Sequence, residues 1–308
     1  MQDILRNINA SNSESSGFTE DLDNVITDDL ESISSNRFEH IDTLYTSRSG
    51  ASLLLTARRY GKRYILKCLK DDFRYNPVYR TVLSKEFEIG ISLDHPNIRQ
   101  TIGFENIEGY GPAIILEYID GKTLDKLMAS DNITPRLAKS IVSQLADALA
   151  YMHSKQVFHR DLKPSNIMVT HTGNVVKLID FSLSDTDAYT VIKTPAGTLN
   201  YMAPEQLYPG AKPDVKADIY SFGMIIGEIA GITGDRKMAS LSTACISPDP
   251  DGRPDSICDL NLHDISQPHD STVTFSLASR STTVLLSIIA AFLAITTLLL
   301  FLVKSNII

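Results

Sequence analysis

The chain has 308 residues, 43% of them hydrophobic and 21% charged, with a formal net charge of −8. Such a length holds one domain of about 230 residues plus flanking segments, enough to bury most of its apolar surface. The acidic balance argues against nucleic acid as a partner, because a phosphate backbone needs basic patches to receive it. Three cysteines, Cys68, Cys245 and Cys258, have neither an even count nor metal-ligand spacing, which speaks against a disulfide framework and suits a reducing compartment.

Residues 1–36 are rich in Ser and Asn and carry eight acidic side chains against the single Arg6. A segment this polar buries too little surface to offset its chain entropy and is predicted to be disordered. Residues 45–52 contain one glycine, Gly50, and read as a hairpin turn. Residues 63–69 alternate as a strand does and include Lys67. Glu86 falls on a helical stretch nine residues ahead of His95 in the tetrapeptide His95-Pro96-Asn97-Ile98.

Thr134-Pro135 predicts a helix start, after which Leu137, Ile141, Leu145, Leu149 and Met152 recur at helical spacing. This apolar stripe is predicted core, and it leads directly into His159-Arg160-Asp161-Leu162-Lys163-Pro164-Ser165-Asn166. The octapeptide packs a base, a cation and a metal ligand into one loop. Asp161 can accept a hydroxyl proton, Lys163 can steady charge on a moving phosphate, and the Asn166 amide oxygen can hold magnesium. The combination points to phosphoryl transfer, in which the transferred group needs placement and charge neutralisation more than covalent help.

Residues 175–179 read as a short buried strand ending at Asp180-Phe181-Ser182. Residues 219–232 are apolar nearly all round, the pattern of a buried helix. Residues 264–281, rich in Ser, Thr and Asp, read as an exposed tether. Residues 282–303 carry no charge; as a helix they would extend about 33 Å, enough to cross the hydrocarbon of a bilayer.

In these residues the chain resembles the protein kinase family. Residues 159–166 match that family's catalytic loop without a mismatch, and Lys163 is the form found in its serine/threonine branch. Asp180-Phe181-Ser182 stands where the family has Asp-Phe-Gly. Ala203-Pro204-Glu205 closes a 26-residue activation segment, preceded by Gly197-Thr198, which resembles the substrate-docking turn.

The resemblance implies an α+β, two-lobed fold, with a β-rich N-lobe at residues 37–117 and a helical C-lobe at 118–263. It implies ATP with Mg2+, or Mn2+ in its place, and protein substrates bearing Ser or Thr. Catalytic roles fall on Asp161, Lys163, Lys67 and Glu86, with Lys67 gripping the first two phosphates and Glu86 pairing with it. Asn166 and Asp180 are the implied metal ligands. ATP would be held by Lys67, by backbone groups of Glu117 and Ile119 in the hinge, and by Ser49, Gly50 and Leu54. Asp218 resembles the brace of the catalytic loop, Arg253 the buried partner of Glu205, and His159 a packing residue rather than a base. Arg160 ahead of the base implies an activating phosphate at Ser184, Thr186, Thr190 or Thr194.

The likeness spans residues 38–262 and has gaps. No G-x-G-x-x-G precedes Lys67, and serines stand where glycines would let the backbone approach phosphates closely. Ile65 replaces a small residue beside adenine. Gly90 and Thr101 occupy positions where the family stacks bulky apolar side chains behind Phe181 and His159, which implies a thin brace. Ser182 stiffens the backbone beside Asp180. Asp218 and Arg253 are only 35 residues apart, which implies a shortened late C-lobe.

Arg280 and Lys304 flank the apolar run evenly, so charge does not orient it. ATP chemistry, reduced thiols and the lack of a signal-peptide pattern place the kinase-like domain in the cytoplasm, with residues 304–308 beyond a single C-terminal membrane anchor. Two readings follow: a membrane-anchored serine/threonine kinase, or a membrane-tethered pseudokinase that serves as a binding scaffold.

Overall fold

The computed structural model describes residues 37–47, 50–130, 132–181, 200–208, 214–260 and 262. The predicted acidic disorder, Ser49, Ser182, the four candidate phosphate acceptors, Gly197-Thr198, the tether and the apolar run 282–303 lie outside the described residues. Among those described, no helix is long and apolar enough to cross a membrane.

The α+β expectation is met. Strands β1 (Glu39–Thr46), β2 (Ser52–Arg59), β3 (Lys62–Leu69), β4 (Thr101–Ile107) and β5 (Gly111–Glu117) form an antiparallel sheet in the order β1-β2-β3-β5-β4. A two-residue turn joins β2 to β3. Its residues Tyr60 and Gly61 both have positive φ, 52° and 71°, the geometry whose twist matches that of the flanking strands.

Alternation then sorts the side chains. Leu55, Ala57, Leu66 and Cys68 join Ile107, Ala113 and Ile115 on one face. Ile65 and Leu69 join Ile114 and Leu116 on the other, with Leu54 packed beside them. Lys67 lies between Ile65 and Leu69 in a strand, so the pleat assigns it to that second face.

Helix α1 (Pro77–Ile91) starts where Asn76 accepts a hydrogen bond from the Val78 N–H and Pro77 takes the first turn. Its buried residues Leu83, Glu86 and Gly90 recur every three or four positions.

In the C-lobe, a short helix α2 (Leu124–Met128) precedes α3 (Pro135–Ser154). Helix α3 begins as predicted, with the Thr134 hydroxyl accepting from the Leu137 N–H. Ile141, Leu145, Leu149 and Met152 are buried; Leu137 is only partly so, and Ala138 takes the innermost place in the first turn. Helix α4 (Val215–Thr233) is capped by Asp214 and ends at Gly234, whose φ of 69° is left-handed. It buries Ile219, Phe222, Ile225, Ile226 and Ile229.

Helix α5 (Arg236–Cys245) packs on α4 so closely that a Cβ on Gly223 would lie 2.4 Å from the Cys245 Cβ. It is the one α-helix among the described residues between α4 and Arg253, with a single 3-10 turn at Pro250–Gly252 after it.

A second sheet, β6 (Gly121–Thr123), β7 (Ile167–Thr170) and β8 (Val176–Leu178), sits in the C-lobe. It is joined to the chain entering β4: the Arg99 N–H donates to the Leu178 carbonyl (2.9 Å), and the Leu178 N–H donates to the Asn97 carbonyl (2.8 Å).

The α4–α5 contact gives a direct test. Gly223→Ala is expected to lower stability by roughly 1–3 kcal/mol through overpacking, read as a lower urea midpoint at unchanged slope. Gly231→Ala, on the same helix with open space around it, is expected to raise stability by about 0.5–1 kcal/mol.

Candidate active site

Three elements bring charge together at one point. Lys67 Nζ donates to Glu86 Oε1 of α1 at 2.6 Å and to Asp180 Oδ1 beyond β8 at 2.8 Å. Lys67 and Glu86 are buried, with 4% and 6% exposure, while the Asp180 side chain keeps 35%. Burial alone would lower the Lys67 pKa, but Asp180 and Glu86 carry it above the ordinary lysine value. Burial, with the Asp180 charge beside it, pushes the Glu86 carboxyl up against the pull of Lys67. Asp180 sits at φ 70°, in the left-handed region, a strained conformation for a residue with a Cβ.

The catalytic-loop residues converge a short way along the chain. Asp161 Oδ2 accepts from Lys163 Nζ at 2.7 Å and from Asn166 Nδ2 at 3.1 Å, and the same Nδ2 donates to the Asp161 carbonyl at 2.9 Å. Asp161 Oδ1 is buried and has no hydrogen-bond partner among the described residues. Burial pushes this carboxyl above its ordinary range, opposed by the Lys163 charge and hydrogen bond, and a more basic carboxylate suits a proton acceptor.

Because the Asn166 amide nitrogen is committed to Asp161, its amide oxygen is the group left for a cation. The Ile179 N–H donates to the Asn166 carbonyl at 2.9 Å, which fixes this loop beside the strand leading to Asp180. An amide oxygen and a carboxylate are hard ligands of the kind magnesium takes when phosphates and water supply the rest. The residues therefore fit a magnesium nucleotide.

Behind the loop, Asp218 is fully buried and accepts from the backbone N–H groups of His159 and Arg160, each at 2.8 Å, and from His153 Nε2 at 2.9 Å. Burial alone would raise its pKa; hydrogen bonds and charge from His153, the His159 charge and the Arg160 N–H hold it below the ordinary carboxylate range. His159 is buried with its ring 5.8 Å from that of Phe181.

Arg253 makes the expected pair with Glu205, at 2.7 and 2.8 Å, and also donates to the carbonyls of Ser247, Lys216 and Pro248. Sequence reasoning missed His153, although its position four residues after Leu149 places it on the buried stripe of α3. It also missed Gln206, which accepts from the Ala203 N–H and donates to the Arg160 carbonyl.

On the nucleotide side, Leu54 and Ile65 share the face that carries Lys67. The Gly50 N–H donates to Ser47 Oγ at 2.8 Å, and a Cβ at Gly50 would lie 2.7 Å from that oxygen, so the glycine permits the hairpin to close on its own serine. The Glu117 N–H donates to the Gln100 carbonyl, which leaves the Glu117 carbonyl as its group for adenine, and its side chain pairs with Lys177 at 3.0 Å. Ile119 is buried at the start of the C-lobe.

Gly90 and Thr101 are in contact: a Cβ on Gly90 would lie 2.3 Å from Thr101 Oγ1. Threonine thus fills the space a side chain at position 90 would take. A separate depression of about 490 Å³, lined by residues including Arg63, Gln100, Ile102 and Tyr118, involves none of Lys67, Asp161, Asn166 or Asp180.

A model of the protein kinase domain matches residues 41–247 of the chain. The chain belongs to the protein kinase family. It is similar to the serine/threonine-protein kinase PknB of Mycobacterium leprae, 34% identical over 211 residues that make up 65% of this chain and 33% of that protein. It is similar also to the serine/threonine-protein kinase PrkC of Bacillus subtilis, 33% identical over 170 residues, 53% of this chain and 26% of that one. A probable serine/threonine-protein kinase of Clostridium perfringens is 33% identical over 207 residues, 65% and 29% of the two chains. The chain therefore spans a third or less of the length of these three relatives. The family works with ATP and magnesium, consistent with the oxygen ligands and the lysine found here.

Two measurements check the kinase scaffold. Glu205→Ala leaves the buried Arg253 guanidinium without its carboxylate and is expected to cost about 3–5 kcal/mol in urea unfolding. Asp218 has a folded pKa below its unfolded one, so its contribution is complete above the ordinary aspartate value and is lost as pH falls through the folded one. The difference in urea midpoint between wild type and Asp218→Asn should therefore hold steady from pH 7 to about 5 and shrink below about pH 4.

Proposed function

We propose that the chain is a membrane-anchored serine/threonine protein kinase that transfers the γ-phosphoryl group of ATP to Ser and Thr hydroxyls of protein substrates. The observation that carries this reading is the buried, unpartnered Oδ1 of Asp161, held between Lys163 and Asn166 with Lys67 and Asp180 across the cleft. The serine/threonine kinases named above support the choice of acceptor.

ATP with magnesium supplies the activated phosphoryl group when bound. Asp161 orients the substrate hydroxyl through Oδ1 and takes its proton, while Oδ2 stays on Lys163. Lys163 offsets charge at the transferred group. With nucleotide bound, Lys67, kept in place by Glu86, would hold the phosphates, and Asp180 with the Asn166 amide oxygen would hold the cation that neutralises their charge. The carbonyl of Glu117 and the N–H of Ile119 receive adenine between Leu54, Ile65 and the hinge.

The division that goes with this reading is an acidic segment at residues 1–36, the kinase domain at 37–263 and a polar tether at 264–281. In this reading residues 282–303 are the membrane anchor, with the kinase domain on the cytoplasmic side of the bilayer. The support for the anchor is the uncharged run itself.

A second reading, a membrane-tethered pseudokinase acting as a scaffold, draws on the hairpin that closes Gly50 on Ser47 in place of a glycine-rich phosphate loop. One experiment separates the two. Full-length chain in lipid nanodiscs is incubated with labelled ATP, magnesium and a generic protein substrate. Incorporation is expected, falling about 10²–10⁴-fold in Asp161→Asn, whereas Lys67→Met loses both incorporation and the ATP-induced rise in melting temperature. A wild-type chain that transfers no phosphate and whose melting temperature MgATP fails to raise would favour the scaffold instead.

A further inference from the structure

The end of the β2–β3 hairpin carries four cations within six residues, Arg58, Arg59, Lys62 and Arg63. The register sets Arg58 directly opposite Arg63 and Arg59 directly opposite Lys62, and like charges facing each other across two strands are destabilising. Among the described residues, only Arg59 of the four is paired with a carboxylate, that of Glu105 at 2.6 Å. Arg58, Lys62 and Arg63 are exposed. Arg63 donates to the Tyr118 hydroxyl at 3.0 Å, with its guanidinium 4.0 Å from the centre of that ring. Positive charge is thus gathered at this corner at a cost to the sheet, and the described fold offsets only part of it.

Beside the hairpin lies the depression of about 490 Å³ that involves none of the cleft's charged groups Lys67, Asp161 or Asp180. Lys62 and Arg63 line it together with Ile91 and Ile102, which are 48% and 43% exposed. The carboxylate among its lining residues, that of Glu117, accepts from Lys177 Nζ at 3.0 Å and from the Gln100 N–H at 3.1 Å. That charge is therefore already answered, and the lining is left with a net positive balance over an apolar floor. An occupant that fits both features is acidic and apolar at once.

Such a segment is delivered to this corner by the chain itself. Strand β1 begins at Glu39 directly opposite Arg58, and the Arg59 guanidinium lies over the Phe38 ring at 3.6 Å, so the residues before β1 enter from the hairpin end. They include Asp28-Asp29-Leu30-Glu31-Ser32-Ile33, and no Lys, Arg or His stands between Arg6 and Arg37 to neutralise them. From Glu39 back to Glu31 the chain can reach about 26 Å, whereas three strand spacings from β1 to β5 amount to about 14 Å. Tethering raises the local concentration to roughly the millimolar range, where exposed ion pairs too weak to hold a free peptide suffice. We propose that residues 28–33 dock in this depression as a ligand supplied in cis, with Asp28, Asp29 and Glu31 against Arg58, Lys62 and Arg63, and with Leu30 and Ile33 over Ile91 and Ile102. The contact is independent of the nucleotide-site reading.

Cys258 is exposed whereas Cys68 and Cys245 are buried, so full-length chain carrying Cys258→Ser takes spin labels at Thr27→Cys and at the exposed position Asn106→Cys. The distance between the labels is read by pulsed electron spin resonance in nanodiscs of neutral lipid. A narrow short-distance component is expected. Its ratio to the broad remainder should fall about fivefold in Lys62→Glu/Arg63→Glu, as the loss of two exposed ion pairs implies, and should fall likewise in about 0.5 M NaCl. Adding Asp28→Lys/Asp29→Lys to the hairpin variant should restore it. Should that variant fail to fold, Asp28→Asn/Asp29→Asn/Glu31→Gln carries the same readout from the other side of the contact. A distribution that is broad throughout, or narrow and unmoved by every change of charge, overturns the proposal. A short component that disappears on dilution with unlabelled chain belongs to a second copy and overturns it too. A broad distribution in which nickel-chelating lipid relaxes the Asn106 label once phosphatidylserine is present makes the bilayer the occupant instead.

Discussion

The shared ammonium of Lys67 is the constraint on which the site depends. It takes its place from the pleat of β3, its first partner from the inner face of α1, and its second from the turn beyond β8. Strand β3 and helix α1 follow one another in the chain, whereas Asp180 lies 113 residues from Lys67, and each charge would bear a desolvation penalty of several kcal/mol if the others were absent. The cluster therefore forms as a unit or not at all, and its formation fixes the rotation of α1 and the direction of Asp180 together. Geometry at the γ-phosphate end of the cleft is inherited from this arrangement.

The C-lobe supplies the opposing jaw by a different principle. Helix α4 is apolar through the core, yet Asp218 sits near its start with no solvent contact. Its two carboxylate oxygens accept from backbone N–H groups and a histidine, so the loop bearing Asp161 hangs from a helix buried along much of its length. That accounts for Arg160 persisting at φ 64° without being glycine: surrounding bonds over-determine the strained backbone.

Much of this was legible in the sequence because the chemistry is local. Asp161, Lys163 and Asn166 lie within six residues, and their mutual hydrogen bonds follow from a short loop of fixed shape. The helix start at Thr134-Pro135, the buried stripe of α3 and the apolar body of α4 follow from periodicity and capping. Relations between distant elements were less visible. His153 showed only as a polar residue on an apolar stripe, and its bond to Asp218 spans 65 residues. Gly90 and Thr101 each looked like a loss of packing, yet each accommodates the other, a complementarity invisible to position-by-position reading. The strand expected at residues 175–179 was trimmed to β8, with its flanking Val175 carbonyl and Ile179 N–H bonded to Thr170 and Asn166.

The seam at Asn97, Arg99 and Leu178 has a mechanical meaning. Two backbone hydrogen bonds join the lobes at the rear of the cleft, like the spine of a book whose pages part at the front edge. Breathing of the two halves about such a seam widens the entrance by ångströms while the rear wall scarcely moves. A visitor can thus come and go without the charges behind it losing their alignment, and re-arming after each turnover needs rotation about a crease rather than reassembly.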